Sequence, residues 1–126
     1  MRKRFLDADI NNKSWFRKLT AEEKVLWYYI STSCSHDGIW EYDKDAIAFY
    51  CNNYNGEIPE IIKEKLGMIK TDDKNQWLLK NWIRFQYKEL KSNVATHKRI
   101  IQRLCEKGLD VHFPELVERD FFNDYK

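Results

Sequence analysis

The side chains best placed to do chemistry are cations in three groups, and the chemistry they suit is recognition of phosphate. Arg2, Lys3 and Arg4 open the chain as a basic arm. Lys63, Lys65, Lys70 and Lys74 follow in the middle. Lys80, Arg84, Lys88, Lys91, Lys98, Arg99 and Arg103 form the third group. Residues 80–107 carry eight basic side chains against two acidic ones, and residues 1–24 carry seven against four. Residues 35–76 are the reverse, nine acidic against five basic. The net charge of the 126 residues is only +2, so clustering rather than total charge would have to create a polyanion-binding face. A plain solvated surface accounts for the same runs one residue at a time.

Other chemistries fare worse. Cys34, His36 and Cys51 could approach across a turn, but there is no C-x-x-C pair and no evident fourth ligand, so no metal is expected. Asp43 with Asp45, and Asp72 with Asp73, fall where helix caps and turns use carboxylates. Cys51 and Cys105 fall on apolar stripes, and His97 reads as a hydrogen-bonded histidine at the core boundary. Gly38, Gly56, Gly67 and Gly108 are too far apart for a phosphate-cradling loop. Neither catalysis nor a cofactor is expected. Three widely spaced cysteines suggest reduced thiols and a cytoplasmic protein. No apolar run is long enough for a membrane, and Asp7 and Asp9 interrupt any leader after the basic start. Trp15, Trp27, Trp40, Trp77 and Trp82 share periodicity with other apolar residues and read as core before they read as a stacking surface.

The elements that must position the cations can be read from local signals. Thr20-Ala21-Glu22-Glu23 is a capping box that opens a helix over about 21–34, after a short helix near 13–18. Gly38 to Tyr42 alternates like a strand. Asp43 caps a helix of about 44–51, with Ala46, Ile47, Tyr50 and Cys51 facing inward. Ile58, Ile61, Ile62 and Leu66 stripe a second helix, which Gly67 stops. Residues 68–71 and 76–80 form a hairpin around Asp72-Asp73-Lys74-Asn75. A helix over 81–90 follows, then an amphipathic one over 93–107 with Val94, His97, Ile101, Leu104 and Cys105 on its apolar stripe. Phe113-Pro114 opens a last short helix with an exposed apolar end.

The expected fold is therefore mainly α with a small antiparallel β-sheet, a winged helix-turn-helix with extra C-terminal helices. One domain spans 1–126, with a core of about 5–87 and a helical extension over 88–126. The chain resembles the N-terminal winged-helix domain of phage replication-initiation proteins, the replisome organisers. The resemblance rests on Leu19 to Tyr29, on Gly38-Ile39-Trp40-Glu41-Tyr42, and on Trp77 to Tyr87, and covers roughly 5–105. It implies binding of origin or template DNA during phage or prophage replication. It also implies partners such as a helicase loader, engaged in such proteins through a C-terminal region that is expected to be missing or very short in this sequence. One departure stands out: the second helix of the helix-turn-helix exposes Glu60 and Glu64 beside Lys63 and Lys65, where a DNA groove would favour cations.

Two functions follow from different classes. One is a DNA-binding module in replication initiation, with a transcription regulator as its variant. In it, most of the cations meet phosphate, while Lys63 and Asn75 reach base edges. The other is a winged helix that docks a replication protein, or a second copy of itself, through the acidic helix and the apolar C-terminal end. Reversing the charge of Lys98, Arg99 and Arg103 is expected to abolish DNA binding on the first reading and to leave it untouched on the second. Oligonucleotide anisotropy measures the difference. If six cations bind phosphate, log affinity falls with log salt at a slope of about −5.

Overall fold

A computed structural model describes residues 4–87, 90 and 94–113. Those residues form six α-helices and one three-stranded antiparallel sheet. A 3-10 turn at Ile10–Asn12 leads into α1 (Ser14–Arg17) and α2 (Ala21–Ser33). The Thr20 capping box forms as the sequence predicts: Glu23 N donates to Thr20 Oγ1 at 3.1 Å, and Thr20 N donates to Glu23 Oε1 at 2.8 Å. Such a cap stabilises a helix start by about 1 kcal/mol. Leu26 and Ile30 of α2 are fully buried.

β1 (Ile39–Glu41) is followed by α3 (Lys44–Tyr50), which the Asp43 carboxylate caps by accepting from Asp45 N and Ala46 N. Asn52 and Asn53 both take left-handed φ in the link to α4 (Glu60–Leu66), a conformation that asparagine tolerates. Gly67 ends α4 at φ 64°, and β2 (Met68–Lys70) pairs with β3 (Gln76–Leu79) as a hairpin. The sheet order is β1-β3-β2. α5 (Lys80–Gln86) and α6 (Ala95–Glu106) follow, then a 3-10 turn at Asp110–His112.

Strand alternation gives the sheet two distinct faces. Trp40 and Lys70 both pair with Trp77 across the strands, so these three side chains share one face. Ile39 and Ile69 both pair with Leu78 on the other. Trp40 meets α2 through Tyr29, with ring centroids 6.4 Å apart, and its indole N–H donates to Ser33 Oγ at 3.1 Å. The opposite face borders α6, because Arg103, Glu106 and Lys107 line one shallow groove with Ile39, Glu41 and Gln76. One buried cluster runs from Ile10 to Phe113 and includes Ile100, Ile101 and Leu104 of α6.

Several side chains depart from the sequence reading. Tyr50 is 60% exposed, because Ile47 and Cys51 already fill the inward stripe of α3; its ring stacks on Tyr29 instead, at 5.3 Å. α5 begins one residue early and ends at Gln86, and Phe85 is left about half exposed. The stripe of α6 is carried by Ile100 as well as Ile101 and Leu104, while Val94 precedes the helix in extended conformation. Phe113 closes the last 3-10 turn as a fully buried side chain. The helix expected after it lies outside the described residues. Burial pushes the Cys51 thiol up, in keeping with a small core side chain.

Gly38 sits at φ +74°, and a Cβ there would lie 2.5 Å from Ile83 Cδ1 of α5. Gly38→Ala is therefore expected to cost about 1–3 kcal/mol in urea unfolding, with the m-value unchanged.

Candidate nucleic-acid interface

The arm expected from Arg2, Lys3 and Arg4 does not project at Arg4. Its guanidinium donates to the Cys34 carbonyl at 2.7 Å, lies 3.0 Å from His36 Nδ1, and stacks 5.2 Å above the Trp82 ring. The next residue is held as firmly. Phe5 N donates to Gln86 Oε1 at 2.9 Å, and Gln86 Nε2 donates back to the Phe5 carbonyl at 2.6 Å. Tyr87 joins this knot, with its ring 6.4 Å from Trp82 and 5.4 Å from His97 of α6. Burial pushes its phenol up from its ordinary value. His97 is thus the boundary histidine its stripe suggested. Arg2, Lys3, Lys88 and Lys91 lie outside the described residues.

The second group does converge, in part. Lys63 of α4 and Lys70 of β2 both lie over the Trp77 ring, at 5.7 Å and 4.8 Å. Lys70 Nζ also donates to the Lys74 carbonyl at the hairpin tip, where Lys74 itself is exposed. Asn75 is exposed beside it, and its carbonyl accepts from Tyr42 N at 2.7 Å. Lys63 pairs with Glu60 at 3.3 Å, so the departure noted on this helix is real: one of its two bases is already met by an acid of the same helix. Lys65 points to the opposite flank of α4, two residues or about 200° around the helix. It lies 5.6 Å from the Trp15 ring.

The third group does not join that patch. Lys98, Arg99 and Arg103 are exposed on α6, which borders the sheet face bearing Ile39 and Gln76, whereas Lys70 and Trp77 occupy the other face. The expected single continuous basic face is therefore divided by the sheet. Arg103 has a structural partner as well. Its guanidinium lies 4.0 Å from the Asp37 carboxylate, which is 3% exposed and also accepts from Ser35 Oγ. Lys80 is half-buried at the start of α5, where its N–H donates to the Gly67 carbonyl at 3.1 Å. Arg84 is half-buried on the same helix.

The sequence reading missed Trp77 as the residue that gathers cations. The alternation of Gln76-Trp77-Leu78-Leu79 carried the signal, but only the cross-strand register identifies Lys70 as its neighbour. Among the described residues, no three His, Cys, Asp or Glu side chains are placed to hold a metal ion, and no helix is long and apolar enough to cross a membrane.

The Asp37 contact changes what charge variants of α6 measure. Arg103→Gln is expected to cost about 0.5–1 kcal/mol in chemical unfolding, discounted because the guanidinium is 63% exposed. Lys98→Gln and Arg99→Gln should each stay within about 0.5 kcal/mol of the parent. Equal stability of all three variants would remove the structural role of Arg103. Comparisons with protein-family models, with curated proteins and with solved structures find no match for the chain.

Proposed function

We propose that the chain is a non-enzymatic DNA-binding module with a winged helix-turn-helix fold and additional C-terminal helices, acting in the initiation of phage or prophage replication. The order α2-β1-α3-α4-β2-β3 and the sheet order β1-β3-β2 support the winged-helix reading, with α4 as the second helix and the β2–β3 hairpin as the wing. The observation that carries the proposal is the meeting of Lys63 and Lys70 on one indole ring, with Lys74 at the adjoining hairpin tip. A second helix and a wing reach DNA side by side, so cations shared between them fall where phosphates run. Trp77 holds the lysine stems over a π-face and limits the entropy lost when a phosphate arrives. The role in replication rests on the resemblance of the three stretches described above.

This places the interface at the junction of α4 and the hairpin. Cations of α6 lie across the sheet from it and are not part of it. Glu60 and Glu64 weaken affinity there by like-charge repulsion with phosphate.

A second reading has its own observation. Phe49 is 80% exposed and Tyr50 60%, side by side on α3 in an edge-to-face contact of 5.0 Å. An aromatic pair left in water suits a protein partner, such as a helicase loader or a second copy of the chain.

Anisotropy of a labelled duplex across a salt series distinguishes the two. Three phosphate contacts are expected to give a slope of about −3, and Lys63→Gln with Lys70→Gln should weaken binding about tenfold and reduce the slope by about 2. Phe49→Ser should leave both unchanged. Binding that is absent, or flat in salt, would overturn the DNA reading and leave protein docking.

A further inference from the structure

Among the described residues, seven large apolar side chains stand exposed, and six of them fall into two groups of three. The first group is Phe5, Leu6 and Phe85, which border one depression between the start of the chain and α5. Gln86 clamps the Phe5 backbone at both polar atoms, so the group sits on a fixed support. Lys13 and Lys65 border the same depression. Lys13 is paired with Asp7 at 2.7 Å, whereas Lys65 meets the Trp15 ring and has no ion pair among the described residues.

The second group is Val25, Phe49 and Tyr50, brought together by α2 and α3. Tyr50 stacks on Tyr29, and Val25 stands one turn before Tyr29 on the same flank of α2. Glu22, a turn before Val25, accepts from Asn52 Nδ2 at 3.4 Å just beyond α3. Carboxylates frame this group. Glu22 lies one turn from Val25 and Asp45 one turn from Phe49, while Tyr29 shares a shallow groove with Glu41, Asp43 and Lys44. Burial, and after it the Asp43 charge, push the Tyr29 phenol up. Four acids thus stand around the second group against Lys44, and the frame of the first group has its surplus charge in Lys65.

Apolar side chains gathered in water mark interaction surfaces, and here the two surfaces carry opposite frames. We propose that they are the two halves of one interface: the Phe5–Leu6–Phe85 group of one copy of the chain seats on the Val25–Phe49–Tyr50 group of the next. Pairing either group with itself would set Lys65 against Lys65, or Glu22 and Asp45 against their own copies, whereas unlike groups bring cation to carboxylate. Such a head-to-tail contact repeats, into a ring if the rotation closes and into an open array if it does not. Phe49 and Tyr50 leave roughly 300 Å² of ring surface in water, well under the ~800 Å² per partner of a stable interface, so the contact is weak and concentration-dependent. The inference rests on the protein-docking reading of Phe49 and Tyr50 and names their occupant. Lys63, Lys70 and Lys74 belong to neither group, so duplex binding draws on separate residues.

Sedimentation velocity of the whole chain, without DNA, over a range of about 5–500 μM is the test. The parent is expected to pass from monomer to dimers and larger species. Phe49→Ser breaks the second group and Phe5→Ser the first, both at exposed positions that leave the melting temperature unchanged. Each variant alone should associate about tenfold more weakly. An equimolar mixture of the two keeps one intact pair of unlike groups, and should form dimers at the parent's affinity and go no further. A parent that stays monomeric overturns this inference and leaves the α3 pair to another protein. A mixture no better associated than its components overturns the head-to-tail pairing. Association that Phe49→Ser leaves intact overturns the docking reading of α3 together with the inference.

Discussion

The pairing of Trp77 with Trp40 on one side and Lys70 on the other is the constraint from which the rest follows. Side chains alternate across a strand, so this register commits Trp40, Trp77 and Lys70 to one face and Ile39, Ile69 and Leu78 to the other. A slip of one residue would exchange the faces and separate Lys70 from Trp77. With the register fixed, α2 packs on Trp40, α4 brings Lys63 to Trp77, and α6 is left to the reverse face. The charge of the molecule is thereby sorted. The cations of helix and hairpin meet on one ring, while those of α6 stand behind the sheet.

The contacts that hold this arrangement join segments far apart in sequence. Arg4 ties the start of the chain to the Cys34 carbonyl and the Trp82 ring, and Trp82 in turn donates to the Ser31 carbonyl at 2.8 Å. Tyr87 carries the same knot to His97. Arg103 brings α6 to the buried Asp37 beside β1. None of these is a strong interaction alone, since exposed charge pairs and cation–π contacts each contribute about 1 kcal/mol or less. Their effect is to select one docking of α5 and α6 on the sheet.

Features written in adjacent residues were legible in the sequence. Thr20 with Glu23, Asp43 ahead of its helix and Gly67 at the end of α4 each do locally what their side chain or lack of one dictates. The three strands and their turn followed from alternation and from the four-residue loop. What escaped depends on tertiary neighbours. Arg4 reads as a mobile cation until Cys34, His36 and Trp82 surround it. Arg103 reads as one of several phosphate contacts until Asp37 is found buried next to it. Tyr50 is apolar enough for a core but lies off the stripe set by Ile47 and Cys51. The candidate site was half legible: Lys63, Lys70 and Lys74 stood out by charge, whereas Trp77 looked like core.

On the proposed reading, a second helix that carries as much acid as base must take its affinity from few cations placed well. The meeting of α4 and hairpin on Trp77 supplies that placement, and it separates the proposed DNA contacts from the basic surface of α6. Two-dimensional ¹H–¹⁵N NMR of the chain titrated with a short duplex tests this most directly. The expected result is movement of the Trp77 indole signal and of the amides of Lys63, Lys70 and Lys74, with Lys98 and Arg99 unmoved. Shifts confined to α6, with the Trp77 indole unchanged, would contradict it.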